Sequence, residues 1–179
     1  MKFFIIQILI SVLTSHVALA KLQKSVWSIT NGELSYHVHF PLKNIIGTAK
    51  NVKGKGQCQS GDCTFLIGVP VKDFNSGDGN RDNHMLETTK AALQPVITVI
   101  VKFKEPTEIN QLEATAQVAF ANTTHTYEHV AISAKMTGEN IEVKGQLPLV
   151  LSHFDIDRPS LLGVKIDDSV PLDFTLFWN

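Results

Sequence analysis

The sequence predicts an all-β protein whose antiparallel strands close into an eight-stranded, lipocalin-like barrel with one short helix. Several short segments alternate between apolar and polar residues, as strands with one buried face do. Turn-forming residues separate these segments at regular intervals. The final segment, residues 170–178, is apolar at every second position and would invite aggregation as an unpaired edge, which favours closure of the sheet.

The first 20 residues predict a cleaved signal peptide. Lys2 supplies a positive charge, residues 3–13 form a mainly apolar run, and Ala18-Leu19-Ala20 is a small-residue cleavage sequence. A transmembrane helix needs about 20 apolar residues, which this run does not reach. We expect cleavage after Ala20, one domain over residues 21–179, no transmembrane segment, and a protein that is periplasmic or secreted.

Charge and composition limit the partners. The chain has 179 residues with 16 basic and 17 acidic side chains, and removal of Lys2 leaves 15 against 17. This balance supplies no basic field for a nucleic acid, so no nucleic-acid partner is expected. A homodimer is left open.

The two cysteines predict a disulfide. Cys58 and Cys63 enclose four residues rich in turn formers, and an exported protein oxidises such pairs. The bridge would staple a β-hairpin. A metal pair is the alternative, although two thiols without a second pair make an incomplete zinc site.

Eight strands follow from alternation, from β-branched residues and from the turns between them. The predicted strands cover residues 33–40, 47–56, 63–74, 96–104, 111–121, 126–136, 141–151 and 170–178. Residues 47–56 are polar and rich in Gly and Lys, which indicates a twisted strand, and residues 137–140 form a turn. Residues 155–168 are predicted to be a connector.

One helix interrupts the strands, from Asp82 to Leu93. Asp82 is a plausible N-cap, and Met85, Leu86 and Thr89 recur at helical spacing. Pro95 is expected to end the helix.

The inward face of the barrel is the predicted ligand-binding surface. An eight-stranded barrel is just wide enough inside to be filled by side chains or to hold one small ligand, and the sequence leaves both possibilities open. The predicted interior residues are Tyr36, Val38, Phe40, Phe65, Ile67, Val69, Leu112, Ala114, Ala116, Val118, Phe174 and Leu176.

Three segments resemble one protein family. They are residues 47–54 (GTAKNVKG), residues 69–85 with the sequences VPV, FNSG and NRDNHM followed by Pro95, and residues 154–168 (FDIDRPSLLGVKIDD). Together they resemble the YceI-like family of exported bacterial lipid-binding proteins, over nearly all of residues 21–179. The resemblance implies a lipocalin-like barrel, with a helix at one end, whose apolar pore holds a polyisoprenoid, a quinone or a fatty-acid-like lipid. It implies no cofactor.

Arg81, Asp82 and His84 allow three interpretations. They could serve the fold, they could meet the polar head group of a ligand at the end of the barrel, or Asp82 and His84 could form the acid–base pair of an envelope enzyme. No Ser or Cys stands in a recognisable nucleophile motif. We therefore predict a non-enzymatic carrier. The alternatives are that enzyme, or a filled barrel acting as a stress or interaction protein.

No metal site is expected. Asp78, Asn80 and Asp82 imitate the start of a calcium loop, but the sixth and twelfth positions are Asn83 and Thr89. Two histidine pairs could bind zinc or copper, although an exposed strand face explains them more simply. These pairs are His37 with His39 and His125 with His129.

Overall fold

The structure, a computed structural model, describes residues 26–40, 43–161 and 163–179. The predicted signal peptide and its cleavage site lie outside these residues. The strands are β1 (Trp27–Phe40), β2 (Lys43–Ala49), β3 (Lys53–Gln59), β4 (Asp62–Pro70), β5 (Val96–Lys104), β6 (Gln111–Phe120), β7 (Thr123–Thr137), β8 (Asn140–Val150), β9 (Ser160–Leu161), β10 (Val164–Lys165) and β11 (Ser169–Trp178). One α-helix, α1, spans Gly79–Thr88, and 3-10 turns span Val71–Asp73 and Leu151–Phe154.

The sheet closes on itself through β1. Its order is β11-β8-β7-β6-β5-β4-β3-β1-β2, and β1 pairs additionally with β11. On its other side, β1 pairs with β3 at its start and with β2 over its second half. Because β2 and β3 lie one after the other along the same side of β1, they together fill one strand position of the barrel. The barrel therefore has eight antiparallel strand positions. The predicted closed, eight-stranded barrel is confirmed.

The segment expected as a single strand over residues 47–56 is divided into β2 and β3. The break lies opposite a register shift between Ile29 and Asn31 in β1. A bulge of this kind disturbs the local hydrogen-bond ladder, so pairing stops and resumes.

The small hairpin formed by β9 and β10 lies within the predicted connector.

The helix begins earlier than expected, at Gly79 instead of Asp82. Its N-cap is Asp78, whose carboxylate accepts hydrogen bonds from the backbone N–H groups of Asn80 and Arg81. The prediction that Asp82 is the N-cap is therefore wrong. Asp82 lies inside the first turn, where its carboxylate binds Ser76. Two aspartates four residues apart could each cap a helix, and the sequence pattern favoured the wrong one.

The helix also ends earlier, at Thr88 instead of Leu93. Lys90 adopts a left-handed conformation with φ of 54°. The N–H groups of Lys90 and Ala91 donate to the carbonyls of Glu87 and Leu86. This is the hydrogen-bond pattern of a Schellman motif, which stops the helix well before Pro95. Glycine is the usual residue at the left-handed position, so a lysine there gave no recognisable stop signal.

The predicted disulfide is present between Cys58 and Cys63, which face each other across the β3–β4 hairpin. Among the described residues, no helix is both long and apolar enough to cross a membrane.

Candidate ligand-binding site

The interior of the barrel holds two apolar cavities, one towards each end. The loop-end cavity has a volume of about 150 Å³ and reaches the β5–β6 loop at Glu105, Pro106 and Ile109. The helix-end cavity has a volume of about 180 Å³ and lies beneath α1 and the side chains of Leu151, Ile156, Pro159 and Ile166. Leu172 of β11 borders both cavities, so they follow one another along the barrel interior.

Aliphatic and aromatic side chains make most of both walls. The loop-end cavity is lined by Trp27, Leu34, Cys58, Cys63, Phe65, Ile67, Val99, Val101, Phe103, Glu105, Pro106, Ile109, Leu112, Ala116, Val130, Ile132, Ala134, Ile141, Val143, Leu147, Leu172, Phe174, Leu176 and Trp178. The helix-end cavity is lined by Tyr36, Val38, Phe40, Ile45, Val71, Phe74, Arg81, His84, Met85, Thr88, Thr89, Ile97, Phe120, Leu149, Leu151, Ile156, Pro159, Ile166, Val170 and Leu172. The residues with ionisable side chains in these walls are Glu105 at one end and Tyr36, Arg81 and His84 at the other.

The predicted interior residues divide into three groups. Six of them border the loop-end cavity: Phe65, Ile67, Leu112, Ala116, Phe174 and Leu176. Tyr36, Val38 and Phe40 border the helix-end cavity. Val69, Ala114 and Val118 are buried in the core but do not line either cavity. Their role in ligand binding stays a prediction.

The lining includes many residues that the sequence did not predict, on β7 and β8 as well as on β5 and in the connector. On β5, Val99, Val101 and Phe103 face the loop-end cavity, but this strand carries apolar residues on both faces and shows no alternation. Ile156 and Ile166 come from the connector, which has no periodic pattern. Only the closure of the barrel and the position of the connector over its end assign these residues to the site.

Three aromatic side chains of the cavity walls lie directly over glycines. Tyr36 faces Gly47 across β1 and β2, and Phe65 faces Gly56 across β3 and β4. A Cβ atom added at Gly47 or Gly56 would lie 2.3 or 2.2 Å from the facing ring. Phe174 lies over Gly145 in the same way, with a corresponding distance of 2.4 Å. Because the glycines have no side chain, the rings rest against the barrel wall and leave the lumen open.

A polar network lies where the helix-end cavity meets α1. Arg81 donates from Nε to Ser76 Oγ at 2.8 Å and from Nη2 to the Ser76 carbonyl at 2.7 Å. The Ser76 hydroxyl and backbone N–H both donate to the Asp82 carboxylate. Arg81 Nη1 lies 3.7 Å from Asp78 Oδ2. The Arg81 guanidinium is thus held in place while bordering an apolar cavity.

Tyr36 places its ring beside the same network. Burial of the ring, and then the nearby charge of Asp82, raise the pKa of the Tyr36 hydroxyl. The hydroxyl therefore stays neutral at physiological pH, and it interacts with the Ser76 side chain at the edge of the cavity that Tyr36 borders. Tyr36 also packs against Phe74, with ring centroids 5.6 Å apart.

The geometry does not bring Asp82 and His84 together as an acid–base pair. Residues two positions apart on a helix point to different sides. Asp82 binds Ser76, while Nδ1 of His84 lies 3.7 Å from Glu87 Oε2 and its side chain is 66% exposed. Of the three residues predicted for this end of the barrel, Arg81 and His84 border the cavity and Asp82 supports Arg81 through Ser76.

The four histidines of the two predicted pairs each contact a side chain outside their own pair. His37 Nε2 lies 2.9 Å from Asp173 Oδ2, and His39 binds the side chain of Asn44. His129 pairs with Glu113, which raises the pKa of the imidazole through a hydrogen bond and opposite charge. His125 stacks on His153, with ring centroids 3.8 Å apart. Within the part of the chain that the structure describes, no group of three or more His, Cys, Asp or Glu side chains is placed to hold a metal ion.

A closed antiparallel barrel with an apolar lumen, polar residues at its ends and a helix over one of them defines a class of small β-barrel domains. A sequence profile for the YceI-like domain matches residues 24–177. The chain therefore belongs to the YceI-like domain family, as its three sequence segments indicated.

Solved structures share this fold. Burkholderia cenocepacia BcnA is 16% identical with a TM-score of 0.70, and the match covers 82% of this chain and 95% of that one. A polyisoprenoid binding domain from Saccharophagus degradans, described as implicated in plant cell wall breakdown, is 14% identical with a TM-score of 0.68 over 86% and 97% of the two chains. No curated protein matches the sequence.

Proposed function

We propose that this protein binds a long apolar ligand, such as a polyisoprenoid, a quinone or a fatty-acid-like lipid, inside the barrel. The observation that carries the proposal is the pair of apolar cavities that follow one another through the lumen and meet at Leu172. A packed core leaves few voids larger than a water molecule, so cavities of about 150 and 180 Å³ are unusual in a barrel that is only structural. The polyisoprenoid-binding description of a structural neighbour supports this assignment.

Burial of the chain would supply the affinity. Each CH₂ group transferred from water contributes about 0.8 kcal/mol. Polar groups in the wall would oppose such transfer, and here they stand at the ends of the lumen. A ligand that buries a long hydrocarbon chain can therefore bind tightly without any charged contact along that chain.

The head group of the ligand would lie at the helix end. Arg81 is fixed by Ser76 and borders the helix-end cavity beside Tyr36 and His84. A guanidinium and a neutral phenol suit an oxygen-rich head group, such as a phosphate, carboxylate, hydroxyl or quinone carbonyl. The loop end offers only Glu105, which suits an anionic group poorly.

We further propose that the protein is exported and acts as a carrier or sequestering protein without catalysis. The signal-peptide pattern and the Cys58–Cys63 disulfide support export, since disulfides persist in oxidising compartments. The separation of Asp82 from His84 supports a non-catalytic role, because the candidate acid–base pair does not form.

Lipid extraction and native mass spectrometry test this function. The protein purified from its exported compartment is expected to carry co-purifying apolar molecules. After delipidation it should take up a polyprenol, a ubiquinone or a long-chain fatty acid at one-to-one stoichiometry. A protein that is persistently empty and takes up none of these three would overturn the proposal.

A further inference from the structure

The outer surface of β3, β4 and β5 carries apolar side chains and lysines side by side. We call this surface the β3–β5 face; its unpaired lysines and larger apolar side chains are Lys53, Lys55, Leu66, Val96, Ile100 and Lys102. Phe65 and Ile67, their neighbours on β4, line the loop-end cavity, so the alternating residues of the strand point outward. The face is therefore separate from the lumen.

The strand register makes the face continuous. Lys55 stands directly opposite Leu66, and Leu66 stands directly opposite Ile100. One step along the strands, Gly68 faces Thr98. The side chain of Val96 approaches the open space over Gly68, at 3.5 Å from the position of a Cβ there.

The apolar part of the face is accessible to a partner. Leu66 is 50% exposed and Val96 is 39% exposed. Leu93, which is 72% exposed, precedes β5 at the helix end of the barrel. These side chains do not contribute to the lumen, and a continuous exposed apolar surface is typical of an interaction site.

Three lysines on this face are free of acidic partners, whereas Lys104, at the hairpin end of the same strands, pairs with Asp62 at 2.6 Å. Within the described residues, no carboxylate forms an ion pair with Lys53, Lys55 or Lys102, and each is exposed. On another side of the barrel, Lys135 and Lys144 both bind Glu142, at 2.8 and 2.7 Å. Because the chain has a formal net charge of −1, the positive charge belongs to this face and not to the protein as a whole.

We propose that the β3–β5 face docks the protein on an anionic lipid bilayer. Lysines attract the negative surface of such a membrane, and adjacent apolar side chains partition into its interface. A second copy of the chain is a poorer occupant, since a two-fold interface would bring the same unpaired lysines towards each other. The inference concerns the outside of the barrel and does not rest on the ligand proposed for its inside.

Vesicle co-sedimentation with graded lipid composition tests the docking. The wild-type protein is expected to bind vesicles of equal parts phosphatidylglycerol and phosphatidylcholine, and to bind pure phosphatidylcholine much more weakly. The double substitution Lys55→Glu and Lys102→Glu should weaken binding to the anionic vesicles at least about tenfold. The control, Lys43→Glu with Lys165→Glu, makes the same change in net charge at exposed positions elsewhere and should leave binding within about twofold.

A second pair of variants isolates the apolar contribution. Leu66→Ser should weaken vesicle binding, while Ile46→Ser, at a residue of similar exposure (52%), should not. The proposal is overturned by absence of wild-type binding to anionic vesicles or by equal losses in the two double variants. It is also overturned if Leu66→Ser dissolves a dimer in light scattering without changing vesicle binding, because the face would then belong to a second copy. Circular dichroism checks that each variant is folded.

Discussion

At the scale of single residues, the open lumen depends on glycines that lie beneath aromatic rings. Phe65 covers Gly56 and Phe174 covers Gly145, each across a direct strand pair. Any larger residue would push the ring away from the wall and into the loop-end cavity, which both rings border. The large residue of each pair thus provides apolar wall surface, and the glycine provides the room that keeps the lumen open.

The substitution Gly56→Ala tests this relationship. The added Cβ would lie 2.2 Å from the Phe65 ring, so the ring must move into the loop-end cavity. Overpacking of this kind costs about 1–3 kcal/mol. We expect a lower melting temperature and about tenfold weaker binding of a long-chain ligand, measured by thermal unfolding and by fluorescence titration.

Gly79→Ala is the matched control. Nothing lies within 4 Å of a Cβ at Gly79, and this glycine is the first residue of α1. Alanine in a helix is favoured over glycine by about 0.5–1 kcal/mol, so the control should be neutral or slightly stabilising. Equal losses in the two variants would contradict the role assigned to Gly56.

At the scale of elements, α1 is placed by the capping carboxylate of Asp78. Its contacts with the N–H groups of Asn80 and Arg81 lower the pKa of the carboxyl, together with the charge of Arg81. Asp78→Ala should lower the urea concentration at the midpoint of unfolding, whereas Asp78→Asn should lower it much less because asparagine caps equally well. If both variants lose the same stability, capping is not the role of Asp78.

The connector between β8 and β11 is held by Asp168. Its carboxylate accepts hydrogen bonds from the N–H and hydroxyl of Ser152, and these lower the pKa of Asp168 below its usual value. A lowered carboxyl pKa contributes stability above the unfolded value of about 4, and that contribution is lost as pH falls through the lower folded value. The Asp168 carboxylate thus helps to fasten the residues that cover the helix-end cavity.

Asp168→Asn should therefore be less stable than the wild type at neutral pH. Its free energy of unfolding should be lower by at most about 1 kcal/mol at this partly exposed site. The difference between the two proteins should shrink as pH falls below about 4. Asp157→Asn, an exposed position in the same connector, should show no such trend. Thermal unfolding as a function of pH provides the measurement, and a difference that stays constant down to acid pH would contradict the assignment.

The elements were predictable to different degrees. For strands such as β6 and β11, which alternate and have one apolar face, the predicted bounds agree with the observed bounds to within one residue. The helix was displaced at both ends, because Asp78 and Asp82 compete as caps and Lys90 replaces the expected glycine in a left-handed conformation. Local patterns indicate that a helix is present. Its first residue depends on which aspartate is available to cap it, and here Asp82 binds Ser76 while Asp78 caps the helix.

At the scale of the whole molecule, closure of the barrel decides which apolar residues pack and which border a cavity. Ala114 and Ala116 stand on one face of the same strand, yet only Ala116 borders the loop-end cavity. A register shift between β6 and β7 falls between these two residues. The sequence predicted the fold class, the family and twelve interior residues, nine of which border a cavity. Whether the barrel is hollow could not be read from it, because small residues suit a tight core and an open lumen alike.

The most direct test of the central claim is titration of delipidated protein with a long-chain polyprenol, comparing wild type, Ala116→Phe and Ala131→Phe. Ala116 lines the loop-end cavity, while Ala131 is exposed on β7 and provides the same change outside the barrel. We predict saturable one-to-one binding for wild type and Ala131→Phe, and at least about a tenfold loss for Ala116→Phe, since several CH₂ groups lose their place in the lumen. Unchanged binding by a folded Ala116→Phe protein would contradict a ligand inside the barrel.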